Sequence, residues 1–140
     1  MALSADRPYK CIPSTMETVR LKMTTNDIYY KGALLNVTAA GGLGIVASDT
    51  AAQGHPTYIA RVQLDNTDKT EYMEAETGIV FIPLATAAQA DVGDYIYATA
   101  DDTIAKSATN ANPCGICVDA EVGVGLWVDL RKGLPKTALA

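Results

Sequence analysis

Apolar and polar positions alternate with a period of two in short runs along this chain, and Gly, Pro, Asn or Asp interrupts them at close intervals. A period of two places alternate side chains on one face of a strand, so the pattern predicts half-buried β-structure. The cleanest run is Thr57-Tyr58-Ile59-Ala60-Arg61-Val62-Gln63-Leu64, with Tyr58, Ala60, Val62 and Leu64 expected on one face. Residues 16–21 separate partly into charged and apolar sets. Further strands are expected over 28–31, 33–38, 43–47, 72–75, 78–82, 94–99, 103–106, 115–119 and 124–130. Turn residues fall between them at Gly41-Gly42, Gly54-His55-Pro56, Asp65-Asn66-Thr67-Asp68, Gly93-Asp94, Asp101-Asp102 and Asn110-Ala111-Asn112-Pro113. About eleven short strands at this spacing describe an all-β domain, a β-barrel or a jelly-roll-like sandwich of short antiparallel strands. Residues 85–92 are the best helical stretch, but Pro83 and Gly93 bound them tightly, so a loop or a single turn is expected.

No repeat and no Ser/Gly linker divides the chain. The pattern gives a body over 16–130, an N-terminal arm over 1–15 with Pro8 and Pro13, and an extended C-terminal tail over 131–140. The 140 residues suffice for one core without disulfides or metals. Twenty-two Ala and fifteen Thr supply small and β-branched side chains, too much apolar matter for a disordered chain. No apolar run approaches the roughly 20 residues of a membrane helix. Residues 1–10 lack the apolar core of a secretion signal, so synthesis in the cytoplasm is expected.

The formal charge of −5 is unevenly distributed. Residues 71–121 hold nine carboxylates and one cation, Lys106, giving 1 − 9 = −8. Both ends are mildly basic, with Arg7, Lys10, Arg20, Lys22 and Lys31 at one and Arg131, Lys132 and Lys136 at the other. Neither end has the clustered Lys and Arg that phosphate neutralisation needs, so no nucleic-acid partner is expected.

Candidate chemistry is sparse. Cys114-Gly115-Ile116-Cys117 matches the spacing of a redox pair or half a zinc site, with Cys11 and His55 as the remaining ligands the chain offers. The pair enters a strand-like run, where positions three apart point to opposite faces, so buried or half-buried packing is expected instead. A Ser/His/Asp or Cys/His arrangement could be assembled on paper from His55 with Ser48 or Cys114, but no nucleophile elbow or other nucleophile signature accompanies them, and a surface turn histidine is expected. Gly41-Gly42-Leu43-Gly44 lacks the G-K-[ST] of a phosphate loop and is followed by Ile45-Val46-Ala47, so it reads as a hairpin turn. Asn66-Thr67-Asp68-Lys69-Thr70 resembles the lysine hairpin of lipoyl domains, which leaves a non-catalytic module carrying a ligand or a prosthetic group on Lys69 as the alternative function. In that family a V-x-x-G-D element precedes the lysine, whereas Val92-Gly93-Asp94 follows it here. Leu134-Pro135-Lys136-Thr137-Ala138 matches a sortase signal without an anchor after it and is read as coincidence. The chain is expected not to be an enzyme, with no catalytic, cofactor-binding or metal-binding residues.

Gly32-Ala33-Leu34-Leu35, residues 44–54 (GIVASDTAAQG) and Tyr58-Ile59-Ala60-Arg61-Val62 together resemble the opening of the tailed-bacteriophage capsid decoration (cement) protein family. The likeness continues through Gly78-Ile79-Val80-Phe81-Ile82-Pro83-Leu84 and Val92-Gly93-Asp94-Tyr95-Ile96-Tyr97. It ends with Cys114-Gly115-Ile116-Cys117-Val118-Asp119 and Gly125-Leu126-Trp127-Val128-Asp129-Leu130, in the family's order. The longer lead over 1–29 and the Cys pair depart from the family pattern. The resemblance implies a β-barrel or jelly-roll body on the outer capsid surface of a virion. It also implies the major capsid protein as partner, self-association as a homodimer or homotrimer, and no catalysis. The basic ends are expected to face the capsid and the acidic middle to face solvent.

Overall fold

Gly78 is the corner of the molecule. The structure, a computed structural model, describes residues 3–38, 42–48, 53–107 and 112–132. Within them the short apolar runs form β1 (Glu17–Lys22), β2 (Ile28–Tyr29), β3 (Leu34–Thr38), β4 (Gly44–Val46), β5 (Gln53–Ala60) and β6 (Leu64–Asp65). They continue with β7 (Tyr72–Thr77), β8 (Ile79–Pro83), β9 (Tyr95–Ala98), β10 (Ile104–Ala105), β11 (Asn112–Glu121) and β12 (Gly125–Asp129). The remaining regular structure is three single 3-10 turns, one of them, Gln89–Asp91, inside the stretch expected to hold a loop or a turn.

The strands make two five-stranded antiparallel sheets, ordered β1-β7-β5-β3-β4 and β10-β9-β11-β12-β8, and a two-stranded ribbon, β2-β6. The all-β expectation holds, as a sandwich with a barrel-like half. β7 and β8 belong to different sheets, and the chain crosses between them at Gly78, whose φ is +151°. A Cβ there would lie 2.5 Å from Met16 Sδ and 2.7 Å from the Thr15 carbonyl oxygen, so only glycine fits. The N-terminal strand turns the same corner beside it. Residues 10–12 run along β8, Phe81 N–H donating to the Lys10 carbonyl (2.9 Å) and Ile12 N–H to the Ile79 carbonyl (3.0 Å), and after the Pro13–Thr15 turn β1 pairs with β7. The edge of β8 is thereby covered, as sheet edges in stable proteins commonly are.

The first sheet is buried on both faces. Leu34 and Ile59 join the core between the sheets with Val80, Ile82, Ile96, Leu126 and Val128, whereas the adjacent Leu35 and Ala60 join a second core with Met23, Tyr29, Met73 and Ala75. A parallel bridge between Met23 and Gly44 links the strand that prolongs β1 to β4 at the opposite edge, so this sheet closes at one end around the second core. Two-sided burial erases the polar–apolar alternation expected of a half-buried strand.

That explains a correction over 57–64. β5 ends at Ala60, the chain bends at Arg61-Val62, and Leu64 begins β6 in the ribbon with β2. Val62 is therefore exposed rather than on a shared face with Tyr58 and Ala60.

The described part of the expected N-terminal arm lies on the body. Arg7 N–H donates to the Lys31 carbonyl (3.0 Å), Arg7 Nε to the Gly32 carbonyl (3.0 Å), and Leu3 N–H to Asp101 Oδ1 (2.9 Å). Burial raises the Asp101 carboxyl above the usual range. Of the expected tail, residues 133–140 lie outside the described residues, and so do the sortase-like motif and Lys136.

Candidate functional site

The cysteines are packing residues in this fold. The register of β11 against β9 shifts between Pro113 and Gly115, and this bulge changes the side-chain phase, bringing Cys114 and Cys117 into one buried cluster. The opposite-face expectation fails for that reason. All three thiols are free. Burial pushes the Cys114 thiol up to about 12 and raises Cys117 as well; burial and then the Glu76 charge raise Cys11. A raised pKa leaves less thiolate at any given pH, and the thiolate is the nucleophile. In native protein at mild alkaline pH, a disulfide reagent should modify Cys11 slowly and the other two not at all, with all three reacting after denaturation. Rapid native labelling of two or more thiols would contradict this burial.

The other motifs are scattered. His55 lies in β5 with its side chain outside the described residues, and Ser48 follows β4. Gly42 and Leu43 close the β3–β4 hairpin, Leu43 N–H donating to Thr38 Oγ1 (3.1 Å), with residues 39–41 outside the described ones. Lys69 sits on an exposed turn between β6 and β7, which pair with β2 and with β1 and β5 respectively. The turn therefore joins strands of different sheets and does not form the tip of a lipoyl-type hairpin. Asp65 caps the same turn by accepting from Thr67 N–H (2.9 Å) and Thr67 Oγ1 (2.6 Å), the local role expected of a turn aspartate. Among the described residues no group of three or more His, Cys, Asp or Glu could hold a metal ion.

What the sheet does bring together is aromatic. Cross-strand partners share a face, and two rows of the second sheet point away from the core. One row runs from Lys10 across Phe81 and Trp127 to Asp119, and the other from Ile79 through Asp129 and Ile116 to Tyr95. The chain's single Phe and single Trp meet edge to face with centroids 5.4 Å apart. Gly125, beside them, lets the ring in: a Cβ there would stand 2.4 Å from Phe81 Cζ. Lys10 Nζ lies 4.2 Å above the Phe81 ring and 3.9 Å from Glu121 Oε2, while Trp127 Nε1 donates to the same oxygen (3.1 Å). Pro8, Tyr9 and Pro83 border a cleft of about 270 Å³ against Lys10 and Phe81. Arg131 forks onto Asp129 through Nε (2.9 Å) and a terminal nitrogen (3.0 Å).

Composition could not reveal this face, because its residues are spread over five chain segments. The available signal was the lack of alternation in 79–82 and 125–130, where apolar residues occupy both phases. Of the cations at the two ends, Arg7 donates to the Gly32 carbonyl and Arg131 pairs with Asp129, while Lys10 lies 3.9 Å from Glu121 with its side chain exposed.

The fold defines a small all-β sandwich, one sheet of which closes into a partial barrel. No protein-family model matches the chain, and no curated protein does. Among solved structures it is similar to the crystal structure of the head fiber gp8.5 N base in bacteriophage phi29, at 14% identity over 82% of this chain and 95% of that one, with a TM-score of 0.44.

Proposed function

We propose that this chain is a structural virion protein of a tailed bacteriophage. In this reading it binds the outer surface of the assembled capsid as a small oligomer and cements the shell by bridging major capsid protein subunits, with no catalytic step. The observation that carries the reading is where the resemblance falls. Its segments up to residue 62 supply β3, β4 and β5 of the first sheet, and those after 78 supply β8, β9, β11 and β12 of the second, so the ordered motifs are the two layers of one sandwich. The G-D element takes part in that framework, with Gly93 N–H donating to the Cys117 carbonyl (2.8 Å) and Cys117 N–H to the Asp94 carbonyl (3.0 Å). A sandwich of this size with an aromatic outer sheet face suits binding through surface contact repeated over a shell.

The test is co-sedimentation of the full chain with expanded and unexpanded heads of its phage. Binding to expanded heads, with a rise in the temperature at which they rupture, is the expected result. Absence from both kinds of head in the pellet removes the proposal. Truncating residues 1–13 is a poorer probe, because Arg7, Lys10 and Ile12 are hydrogen-bonded into the body.

A further inference from the structure

The first sheet has a core on each face, but the second has one only on its inner side. Its outer face carries the half-buried Trp127, Tyr95, Ile79 and Ile116 around a buried Phe81, where a sheet facing water ordinarily presents polar residues. Trp and Tyr in such a place are the residue types that anchor protein interfaces.

The charges on the face identify what covers it. Glu121 accepts from Trp127 Nε1 and Asp129 pairs with Arg131, so among the described residues of the two rows Asp119 is the carboxylate left without an ion pair, a single charge rather than the acidic cluster a basic partner would need. The charge pattern of the central row is complementary to itself. It has a cation at one end, Lys10 over Phe81, and at the other Asp119, exposed and with no ion pair among the described residues, next to Trp127. A two-fold axis running along the strands between β8 and β12 exchanges the two halves of this row.

We infer that the outer face of the β10-β9-β11-β12-β8 sheet is a two-fold interface with a second copy of this chain. Lys10 of one copy sits against Trp127 and Asp119 of the partner subunit, and the reverse contact forms in the same interface. Such an isologous contact is closed, so it stops at two copies. The chain's net charge of −5 opposes self-association in general, and this face brings two like-charged copies together with an attractive pair at each end. The inference sharpens the oligomer named in the functional reading but does not require a capsid, and its test uses the protein alone.

The test is sedimentation equilibrium of the full chain with its single-charge reversals. Wild type should sediment at twice the 14.7 kDa chain mass. Its one tryptophan should shift its emission to shorter wavelength as concentration rises. Asp119→Lys and Lys10→Glu, both at exposed side chains, should each weaken the dimer by about tenfold or more through like-charge contacts, with the melting temperature of the monomer nearly unchanged. Combining them, Lys10→Glu with Asp119→Lys, should restore the dimer, an outcome specific to a second copy. A monomeric or trimeric wild type, single reversals without effect on the mass, or a double variant no better than the singles would overturn the interface. A dimer disproved in this way leaves co-sedimentation with heads to decide the capsid reading separately.

Discussion

Gly78→Ala should lower the unfolding free energy by about 3 kcal/mol, from backbone strain at a positive φ together with steric overlap in a filled corner. The two costs have separate origins. A φ of +151° is a conformation that L side chains rarely adopt, and the added methyl would stand 2.7 Å from the Thr15 carbonyl oxygen and 3.0 Å from Met16 Cα. Met16 Sδ can swing away, but the two backbone atoms cannot move without shifting the start of β1. At this corner two chain segments cross from one sheet to the other side by side, so the strain reaches the β1–β7 and β8 pairings together. Gly123→Ala is the matched control. Its φ of +74° is also left-handed, yet nothing lies within 4 Å of the new methyl, so about 1 kcal/mol is expected from backbone strain alone. Urea unfolding gives the comparison through the two midpoints, with unchanged slopes. Equal midpoints for the two variants would mean that the corner has room, and would undo the account of Gly78.

The sheet content, most strand positions and the lack of a long helix were legible because they depend on local alternation and on turn residues. Pairing was not, since a period of two fixes the phase of a strand but leaves its neighbour open. β3 illustrates the limit: Leu34 and Leu35 are adjacent and both fully buried, each in a different core, so the run reads as apolar without saying which side faces what. The Cys pair illustrates another. Its spacing predicts opposite faces in a regular strand, and one extra residue at the Pro113/Gly115 shift reverses that. The aromatic face stayed hidden because Phe81 and Trp127 are 46 positions apart and meet only through the β8–β12 register. Arg61 was read as the polar member of an alternating strand, whereas it lies beyond the end of β5, 3.7 Å from Glu74 and 3.9 Å from Glu76. Each miss is a contact between distant segments, and short-range pattern carries no information about such contacts.

Asn66→Asp should be among the most damaging substitutions of its size, costing about 3–5 kcal/mol at neutral pH by leaving an unpaired buried charge. Asn66 was read as part of a turn, and the structure makes it the clasp of the closed end of the first sheet. It is fully buried, and its Nδ2 donates to the carbonyls of Thr24 (3.1 Å) and Met23 (3.3 Å) while Oδ1 accepts from Glu71 N–H (3.2 Å). Its own carbonyl accepts from Asn26 N–H (2.9 Å) and Lys69 N–H (3.0 Å). One side chain thus ties the end of β1 to the approach of β7. A carboxylate in its place has the same shape but no donor, so an anionic oxygen would face two carbonyl oxygens. Burial and those carbonyls raise the carboxyl pKa in the folded state above the unfolded value of about 3.9. The protonated form, which keeps one donor, is tolerated better. The deficit relative to wild type is therefore smallest below the unfolded pKa and widens as pH rises toward the folded one, staying constant beyond it. Asn66→Ala loses the same hydrogen bonds without adding a charge, so its deficit should be independent of pH. Urea unfolding of both variants and wild type at pH near 4 and near 7 separates the cases. An Asn66→Asp deficit that did not grow between those two pH values would show that the side chain at 66 does not face the Met23 and Thr24 carbonyls.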